Sequence, residues 1–176
     1  MGPHAGAAGD VKASLRKDVL NVVGSAGPDT IVVRLQSVGS TMLVVDVGGD
    51  GTADYVFDRS KLTTVNVNGN GGDDTLIVDP VNGGFTDAER TRLDGGDGND
   101  RLVGANFGET LAGGSGDDVL DGNGGMDLGT ALTWDPGDSN DTVQAGGGID
   151  RLVDWSWATS STSGSINPTN QPPGRR

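Results

Sequence analysis

The sequence predicts an all-β fold in which short strands wind repeatedly into a flattened right-handed roll. Two observations predict it: β-branched runs separated by glycine, aspartate and asparagine clusters, and a nine-residue pattern that returns along the chain. No stretch keeps a helical period. One single helical turn is expected, at residues 85–93 (FTDAERTRL).

Aspartate dominates the acidic residues of this 176-residue chain, whose net charge is −13. Of 25 acidic residues, 23 are aspartate and only Glu89 and Glu109 are glutamate. Aspartate tolerates turns, and a calcium ion with its oxygen ligands would offset the repulsion between carboxylates. The acidic balance argues against nucleic acid and anionic membrane partners, and no apolar run is long enough to insert into a membrane.

Four segments are expected along the chain. Residues 1–17 are small and polar and are predicted to form a flexible tail. Residues 18–68 contain the runs VLNVV, TIVVRL, TMLVVDV, YVF and TTVNV and are predicted to form a β-rich capping region. Residues 69–158, including the run TLIV, carry the repeats and a C-terminal cap, and residues 159–176 are predicted to be a disordered tail.

A nine-residue template, G-G-x-G-x-D-x-U-x with U a large apolar residue, recurs through the chain. Residues 95–103 (GGDGNDRLV) and 113–121 (GGSGDDVLD) match it well, and four copies follow one another from 95 to 130. The acidic sixth position is occupied by Asp29, Asp74, Asp100, Glu109, Asp118, Asp127, Asp141 and Asp150. Metal-free glycine–aspartate hairpin turns are the alternative, but such turns do not require a fixed nine-residue phase.

Two nonapeptides would make one coil of 18 residues, and the next coil would stack on it at about 4.8 Å, the ordinary strand spacing. Asp100 would then lie over Asp118, and Glu109 over Asp127. Stacked carboxylates repel, and a calcium ion between them would turn that repulsion into attraction. Backbone carbonyls, which glycine allows to turn inward, would complete its shell. The apolar eighth positions would stack into a thin core: Leu102, Leu111 and Leu120.

The stretches GGDGNDRLV and GGSGDDVLD resemble the hemolysin-type calcium-binding nonapeptide repeats of RTX proteins. The resemblance covers residues 95–127, and more weakly 69–78 and 136–153. It implies a right-handed parallel β-roll, a form of β-solenoid, with several calcium ions between successive loops, in a secreted bacterial protein. A longer similarity, from VLNVVGSAGPDTIVV through VNVNGNGGDDTLIV to TWDPGDSNDTV, implies a β-rich N-terminal cap.

The same resemblance implies which groups would hold calcium. Backbone carbonyls and carboxylates of one row of loops would come from Gly96, Gly98, Asp100, Gly113, Ser115 and Asp118. The second row would use Ala105, Phe107, Glu109, Gly122, Gly124 and Asp127. Weaker copies of the motif would contribute Asp74, Asp141 and Asp150. Phe107 departs from the pattern because it stands where glycine is expected, and Glu109 stands where aspartate is expected.

Other motifs favour simpler interpretations. The stretch DVGGDGTAD at 46–54 has the phase of half an EF-hand, but glycine occupies the third position and no helices flank it, so a β-hairpin loop is favoured. Its residues in phase are Asp46, Asp50, Gly51 and Asp54. The tryptophans at 134, 155 and 157 are expected to close the end of the roll, with a sugar-stacking platform as the alternative.

Enzyme signatures are missing from the sequence. It contains no HExxH or GxSxG motif and no cysteine, and its single histidine, His4, lies in the expected tail. The expected function is therefore a secreted, monomeric, non-catalytic module that folds when it binds calcium. Two alternatives stay open: a carbohydrate-binding or adhesive surface module with an extracellular glycan as its ligand, and the RTX portion of a larger exported enzyme or toxin.

Overall fold

The computed structural model describes residues 11–85 and 89–125 and four short strands beyond them. In chain order the strands are β1 (Lys12–Arg16), β2 (Val19–Val23), β3 (Thr30–Leu35), β4 (Met42–Val47), β5 (Tyr55–Asp58), β6 (Thr64–Gly71), β7 (Thr75–Asp79), β8 (Arg90–Asp97), β9 (Arg101–Val103), β10 (Glu109–Ser115), β11 (Val119–Asp121), β12 (Gly124–Gly125), β13 (Leu128–Thr130), β14 (Thr142–Gln144), β15 (Gly146–Leu152) and β16 (Gly164–Ile166). Two 3-10 turns, Arg59–Lys61 and Pro80–Asn82, are the only helical elements in these ranges. The all-β prediction is confirmed, and each β-branched run named above forms a strand.

The strands form two mixed sheets. The first has the order β1-β2-β6-β8-β10-β13-β15-β12, with β16 paired to β15, and the second has the order β14-β11-β9-β7-β3-β4-β5. Apart from the antiparallel β4–β5 excursion, the chain from β2 to β11 alternates between the two sheets. Strands that follow one another within a sheet along this path pair in parallel.

The expected stacking of residue i over residue i+18 is confirmed where the repeats run without a gap. Leu93 pairs with Leu111, and Leu102 pairs with Leu120. Earlier coils are longer, since Leu76 pairs with Leu102 and Ile31 pairs with Leu76. The additional residues leave the coil as the β4–β5 hairpin and as the connection between β7 and β8, so the pairing is kept although the spacing changes.

One cluster of buried aliphatic side chains joins the two sheets. The predicted core positions Leu102, Leu111 and Leu120 are at most 1% exposed, which confirms their assignment. The cluster includes one fully buried aromatic ring, that of Phe85. Because strand residues alternate between faces and the repeat strands are short, each of the strands β8 to β11 contributes one aliphatic side chain to this core.

The structure differs from the sequence-based segments in three places. Lys12–Arg16, assigned to a flexible tail, form β1 antiparallel to β2. The helical turn expected at 85–93 is wrong for Arg90–Leu93, which lie in β8 because their alternate side chains face the core. Gly164–Ile166, assigned to a disordered tail, pair as β16 with β15.

The predicted capping region, which ends at residue 68, and the predicted repeat region share the same two sheets. Strand β6 runs across residue 68, and β2 and β3 pair directly with β6 and β7 in the same two sheets. The N-terminal region therefore continues the strand pairing of the repeats. His4 and the three tryptophans lie outside the described residues.

Replacing Leu102 by alanine is expected to lower the free energy of unfolding by roughly 2–5 kcal/mol, because it leaves a cavity between the two sheets. The matched control is Val119→Ala on the neighbouring strand β11, where the side chain is 37% exposed and a loss below about 1 kcal/mol is expected. Chemical denaturation in calcium-containing buffer measures both. Equal losses would contradict the placement of the core.

Candidate metal centre

Four loops that lead from the first sheet to the second lie at the same edge of the molecule: 24–29, 69–74, 95–100 and 113–118. Each loop ends on an aspartate that directly precedes a strand of the second sheet. These four side chains are at most 3% exposed, and we call them the aspartate row: Asp29, Asp74, Asp100 and Asp118. Buried carboxylates are rare in folded proteins unless they are paired or bound to a metal.

Hydrogen bonds tie each member of the aspartate row to the next. The backbone N–H of Asp29 donates to Asp74 Oδ1 at 2.7 Å, and that of Asp74 donates to Asp100 Oδ1 at 2.8 Å. The N–H of Asp100 donates to Asp118 Oδ1, also at 2.8 Å. The expected stacking of Asp100 on Asp118 is therefore confirmed, and the row extends through two earlier loops whose spacing is not 18 residues.

The second carboxylate oxygens of the row face glycine backbone. Asp74 Oδ2 and Asp100 Oδ2 are buried and have no hydrogen-bond partner within the described part of the chain. A Cβ atom built on Gly69 would collide with Asp74 Oδ2 and with the carbonyl oxygen of Gly95. A Cβ atom on Gly95 would likewise collide with Asp100 Oδ2 and the carbonyl oxygen of Gly113. A carboxylate oxygen of one loop and a carbonyl oxygen of the next thus converge beside Gly69 and beside Gly95, the first glycines of their motifs.

We call three of these loops, 69–74, 95–100 and 113–118, the regular loops, because their second and fourth positions all adopt positive φ. These positions are Asn70, Gly72, Gly96, Gly98, Gly114 and Gly116. The φ angles are 109° at Gly96 and 131° at Gly98, a region that side-chain-bearing residues rarely adopt. A Cβ atom on Gly96 or Gly98 would also collide with the carbonyl oxygen of Asn70 or Gly72 in the preceding loop. The carbonyls of positions two and four therefore point toward the next loop.

The first predicted ligand set lies at the junction of two adjacent loops. Its members are Gly96, Gly98, Asp100, Gly113, Ser115 and Asp118. The carbonyl oxygen of Ser115 accepts a hydrogen bond of 2.7 Å from the Gly98 N–H, and the carbonyl oxygens of Gly96 and Gly98 lie against the following loop. The structure therefore brings these six residues together, with carboxylate and carbonyl oxygens as the groups at the junction.

The second predicted set is not arranged in the same way. Ala105 and Phe107 do not have the positive φ of the regular loops, and the Ala105 carbonyl accepts a hydrogen bond of 3.0 Å from Gly124 N–H. Glu109 Oε2 accepts from the Ala105 N–H at 3.2 Å, and the ring of Phe107 lies against Gly84.

The remaining predicted ligand residues are Gly122, Asp127, Asp141 and Asp150. Gly122 is buried and directly follows the second-sheet strand β11, and its carbonyl oxygen lies near Gly104. Asp127 and Asp141 lie outside the described residues, and for Asp150 only the backbone, within β15, is described. Their role as ligands stays a prediction.

Burial makes the aspartate row unfavourable for negative charge. Burial is the largest cause that raises the pKa of Asp74 to about 6; the Asp29 N–H opposes it, and the neighbouring carboxylates of Asp100, Asp29 and Asp73 add to it. Burial also raises the pKa of Asp100, with contributions from nearby acidic residues. A cation bound beside Asp74 and Asp100 would favour their ionised forms and offset the effect of burial.

The sequence reasoning missed a second, outer ladder formed by the fifth position of each regular loop. The Asn99 N–H donates to Asp73 Oδ1 at 2.9 Å, and the Asp117 N–H donates to Asn99 Oδ1 at 2.8 Å. In this outer ladder the later loop donates to the earlier one, whereas in the aspartate row the earlier loop donates to the later one. The signal was present, since aspartate or asparagine occupies the fifth position in all three loops.

The loop at 46–54 forms a β-hairpin, as favoured over half an EF-hand. Asp46 Oδ2 accepts a hydrogen bond of 2.9 Å from the Gly51 N–H and lies 3.3 Å from the Arg34 guanidinium. Asp54 Oδ2 accepts from the Val47 N–H at 2.8 Å. An arginine thus supplies the positive charge at Asp46.

Oxygen donors alone are available at the junctions of the regular loops. Within the described ranges, no three acidic or histidine side chains converge closely enough to hold a metal ion by themselves. A bound ion would therefore depend on backbone carbonyls together with one or two carboxylates. This donor set, with buried carboxylate oxygens that lack a hydrogen bond, fits a hard cation such as calcium.

Replacing Gly98 by alanine is expected to destabilise the protein by at least about 1–2 kcal/mol, because the residue has positive φ and its Cβ would collide with the Gly72 carbonyl. The control is Gly27→Ala at the same motif position of the loop 24–29, where a Cβ atom meets nothing within 4 Å. That change is expected to be neutral or slightly stabilising. Thermal unfolding of both variants decides, and a loss at Gly27 as large as at Gly98 would contradict this reading of the loops.

Without calcium, stability is expected to fall as the pH rises from about 4 to about 6. The folded pKa of Asp74, about 6, lies above the ordinary value of 3.8, so the folded chain binds the proton more tightly than the unfolded chain does. The contribution of this group is fully present below about pH 4 and is lost through the folded pKa, roughly 3 kcal/mol in all. Denaturation in a chelator across this window measures the slope, which Asp74→Asn should flatten. A stability that rises with pH here would contradict the buried acid row.

No protein-family model, curated protein or solved structure matches this chain. Among the described residues, no helix is long and apolar enough to cross a membrane. The chemistry of the loop junctions is therefore the basis on which a function is assigned.

Proposed function

We propose that this chain is a non-catalytic calcium-binding module that folds as a right-handed parallel β-roll, a β-solenoid, when calcium binds between its loops. One observation carries the proposal: Asp74 and Asp100 are buried in a row of like charges, each with an Oδ2 atom that lacks a hydrogen bond in the described residues. Carbonyl oxygens of the next loop converge on the same places. Calcium accepts roughly six to eight oxygen ligands in irregular cages.

The strand pairing supports the β-roll. The chain alternates between two sheets, and the parallel neighbours of each strand come from the adjacent turns of the chain. From residue 91 to 121 these turns have the 18-residue length expected of two nonapeptides. Parallel neighbours need a crossover connection, and between β6 and β11 each crossover runs through a strand of the other sheet, as in a β-roll.

Two junctions are the strongest candidates for calcium. The first lies between loops 69–74 and 95–100, where Asp74 and the carbonyl of Gly95 would be ligands. The second lies between loops 95–100 and 113–118, where Asp100 and the carbonyl of Gly113 would be ligands. Carbonyls of positions two and four, which point toward the following loop, would complete each shell. When bound, calcium would supply the positive charge that the buried carboxylates lack.

Calcium binding and folding are coupled in this proposal. Without the ion, folding would move the carboxylates of the aspartate row into a buried place that disfavours their ionised forms. The small aliphatic core contributes limited free energy to offset that cost. Each site filled at 100 times its Kd would add about 2.7 kcal/mol to the stability of the folded chain. In a low-calcium cytosol the chain would remain unfolded and competent for export, and it would fold after secretion.

Replacing Asp100 by asparagine is expected to weaken calcium binding at least about tenfold at the junctions it shares, because it removes a charged oxygen ligand from a buried place. Asp117→Asn is the matched control, since the equivalent position of the preceding loop is already an asparagine, Asn99. Isothermal titration calorimetry with calcium chloride measures the affinity and the number of ions bound. Equal affinities for Asp100→Asn and the unsubstituted protein would count against the proposed site.

A further inference from the structure

The outward face of the first sheet carries a group of basic and amide side chains, which we call the basic face: Lys12, Arg16, Asn21, Asn66, Arg90 and Arg92. They belong to the neighbouring strands β1, β2, β6 and β8. The residues between them, such as Leu20, Val65 and Leu93, are buried, so alternation directs the basic face outward. All four cationic side chains of this face are exposed.

The basic face has a net positive charge, whereas the whole chain has a net charge of −13. The chain has 12 basic and 25 acidic residues, whereas the outward positions of β1, β2, β6, β8 and β10 hold four basic residues and one acidic residue, Asp94. Asp94 is paired with Arg92 at 2.8 Å. Two other arginines of the chain, Arg34 and Arg59, are engaged with Asp46 and Glu89 elsewhere. A net positive surface on so acidic a protein attracts an anionic partner.

Polar side chains, uncharged except for one arginine, form a row across this face and its neighbouring strand β10. Ser14 pairs with Asn21, Asn21 with Asn66, Asn66 with Arg92, and Arg92 with Thr110 in the strand register. The Asn66 side-chain amide donates to Asn21 Oδ1 at 3.1 Å. Successive strands are spaced at about 4.8 Å, so an extended polymer laid across them meets a hydrogen-bonding or cationic group at each strand.

We propose that the basic face binds an acidic polysaccharide, with its carboxylates on the arginines and its hydroxyls on the asparagines of the face and on the adjacent Thr110. Arginine presents a planar fork that matches a carboxylate, and amides both donate to and accept from hydroxyl groups. A membrane-surface site would need large apolar anchors such as tryptophan, phenylalanine or leucine. The outward positions of these strands hold none of these three residue types, since Leu15 pairs with buried Leu20 and shares its face. The exposed apolar side chain at an outward position, that of Val23, is smaller. The basic face lies on the sheet and not on the loops at its edge, so calcium is not itself a ligand of the polysaccharide. The inference rests on the proposed function only in that calcium is needed to fold the sheet.

The test is calorimetric titration of the calcium-loaded protein with sodium hyaluronate, with dextran as the neutral polysaccharide. The protein should bind hyaluronate and not dextran, and added salt should weaken the binding. Arg90→Gln is expected to reduce the affinity about fivefold through the loss of one exposed carboxylate contact. Arg101→Gln is the matched control, because Arg101 is also exposed but lies on the second sheet, and the affinity of this variant for hyaluronate should be unchanged.

Circular dichroism of both variants in calcium shows whether they are folded, and Arg92→Gln provides a second substitution on the basic face with the same expected direction. The inference is overturned if folded protein does not bind hyaluronate, or if it binds dextran equally. It is also overturned if Arg90→Gln and Arg101→Gln lose the same affinity. Binding to phosphatidylglycerol vesicles without binding to hyaluronate would assign the face to a membrane instead.

Discussion

The interaction on which the loops depend is the hydrogen bond from the backbone N–H of one buried aspartate to the carboxylate of the next. It fixes the stacking of loops whose separation in sequence ranges from 18 to 45 residues. The same bonds place like-charged groups one above another in a buried row, where ionisation is costly. The glycines, the inward carbonyls and the proposed metal all follow from the need to stack these loops and compensate their charge.

The two edges of the molecule are stabilised by different means. At the edge of the aspartate row, positive-φ residues bring backbone oxygens close to carboxylates. At the opposite edge, the chain returns from the second sheet to the first. There Arg59 pairs with Glu89 at 2.9 Å and donates a hydrogen bond to the carbonyl of Phe85, whose ring is buried. Phe107, which replaces a motif glycine, belongs to this second edge and packs against Gly84. Where Phe107 replaces the motif glycine, the loop is therefore held by apolar packing and not by the polar contacts seen at the edge of the aspartate row.

Much of the fold could be predicted from the sequence because β-branched runs, glycine-rich turns and an 18-residue period constrain it jointly. The pairing of Leu102 with Leu120 followed from that period alone. The pairing of Ile31 with Leu76 did not, because the β4–β5 hairpin lies between them and hides the period. Strand β1 was missed because its residues are mostly exposed, and only its contact with β2 orders it.

The sequence predicted which residues form the candidate site better than it predicted how their atoms are arranged. Motif spacing identified Asp100 and Asp118 as neighbours, but it did not indicate that each carboxylate divides its two oxygens between a backbone N–H and the glycine side of its own loop. Nor could it show that Asp74 and Asp29 continue the row, because that depends on how inserted segments leave the coil. Those features are set by the packing of whole turns, which no local pattern encodes.

The central claim is that the ion and the fold depend on each other, and far-ultraviolet circular dichroism of the chain in EDTA and then in excess calcium tests it most directly. The account predicts a largely disordered spectrum in the chelator at neutral pH and a β-sheet spectrum after calcium is added, with magnesium as a weaker substitute. A β-sheet spectrum that is the same in EDTA and in calcium would contradict it.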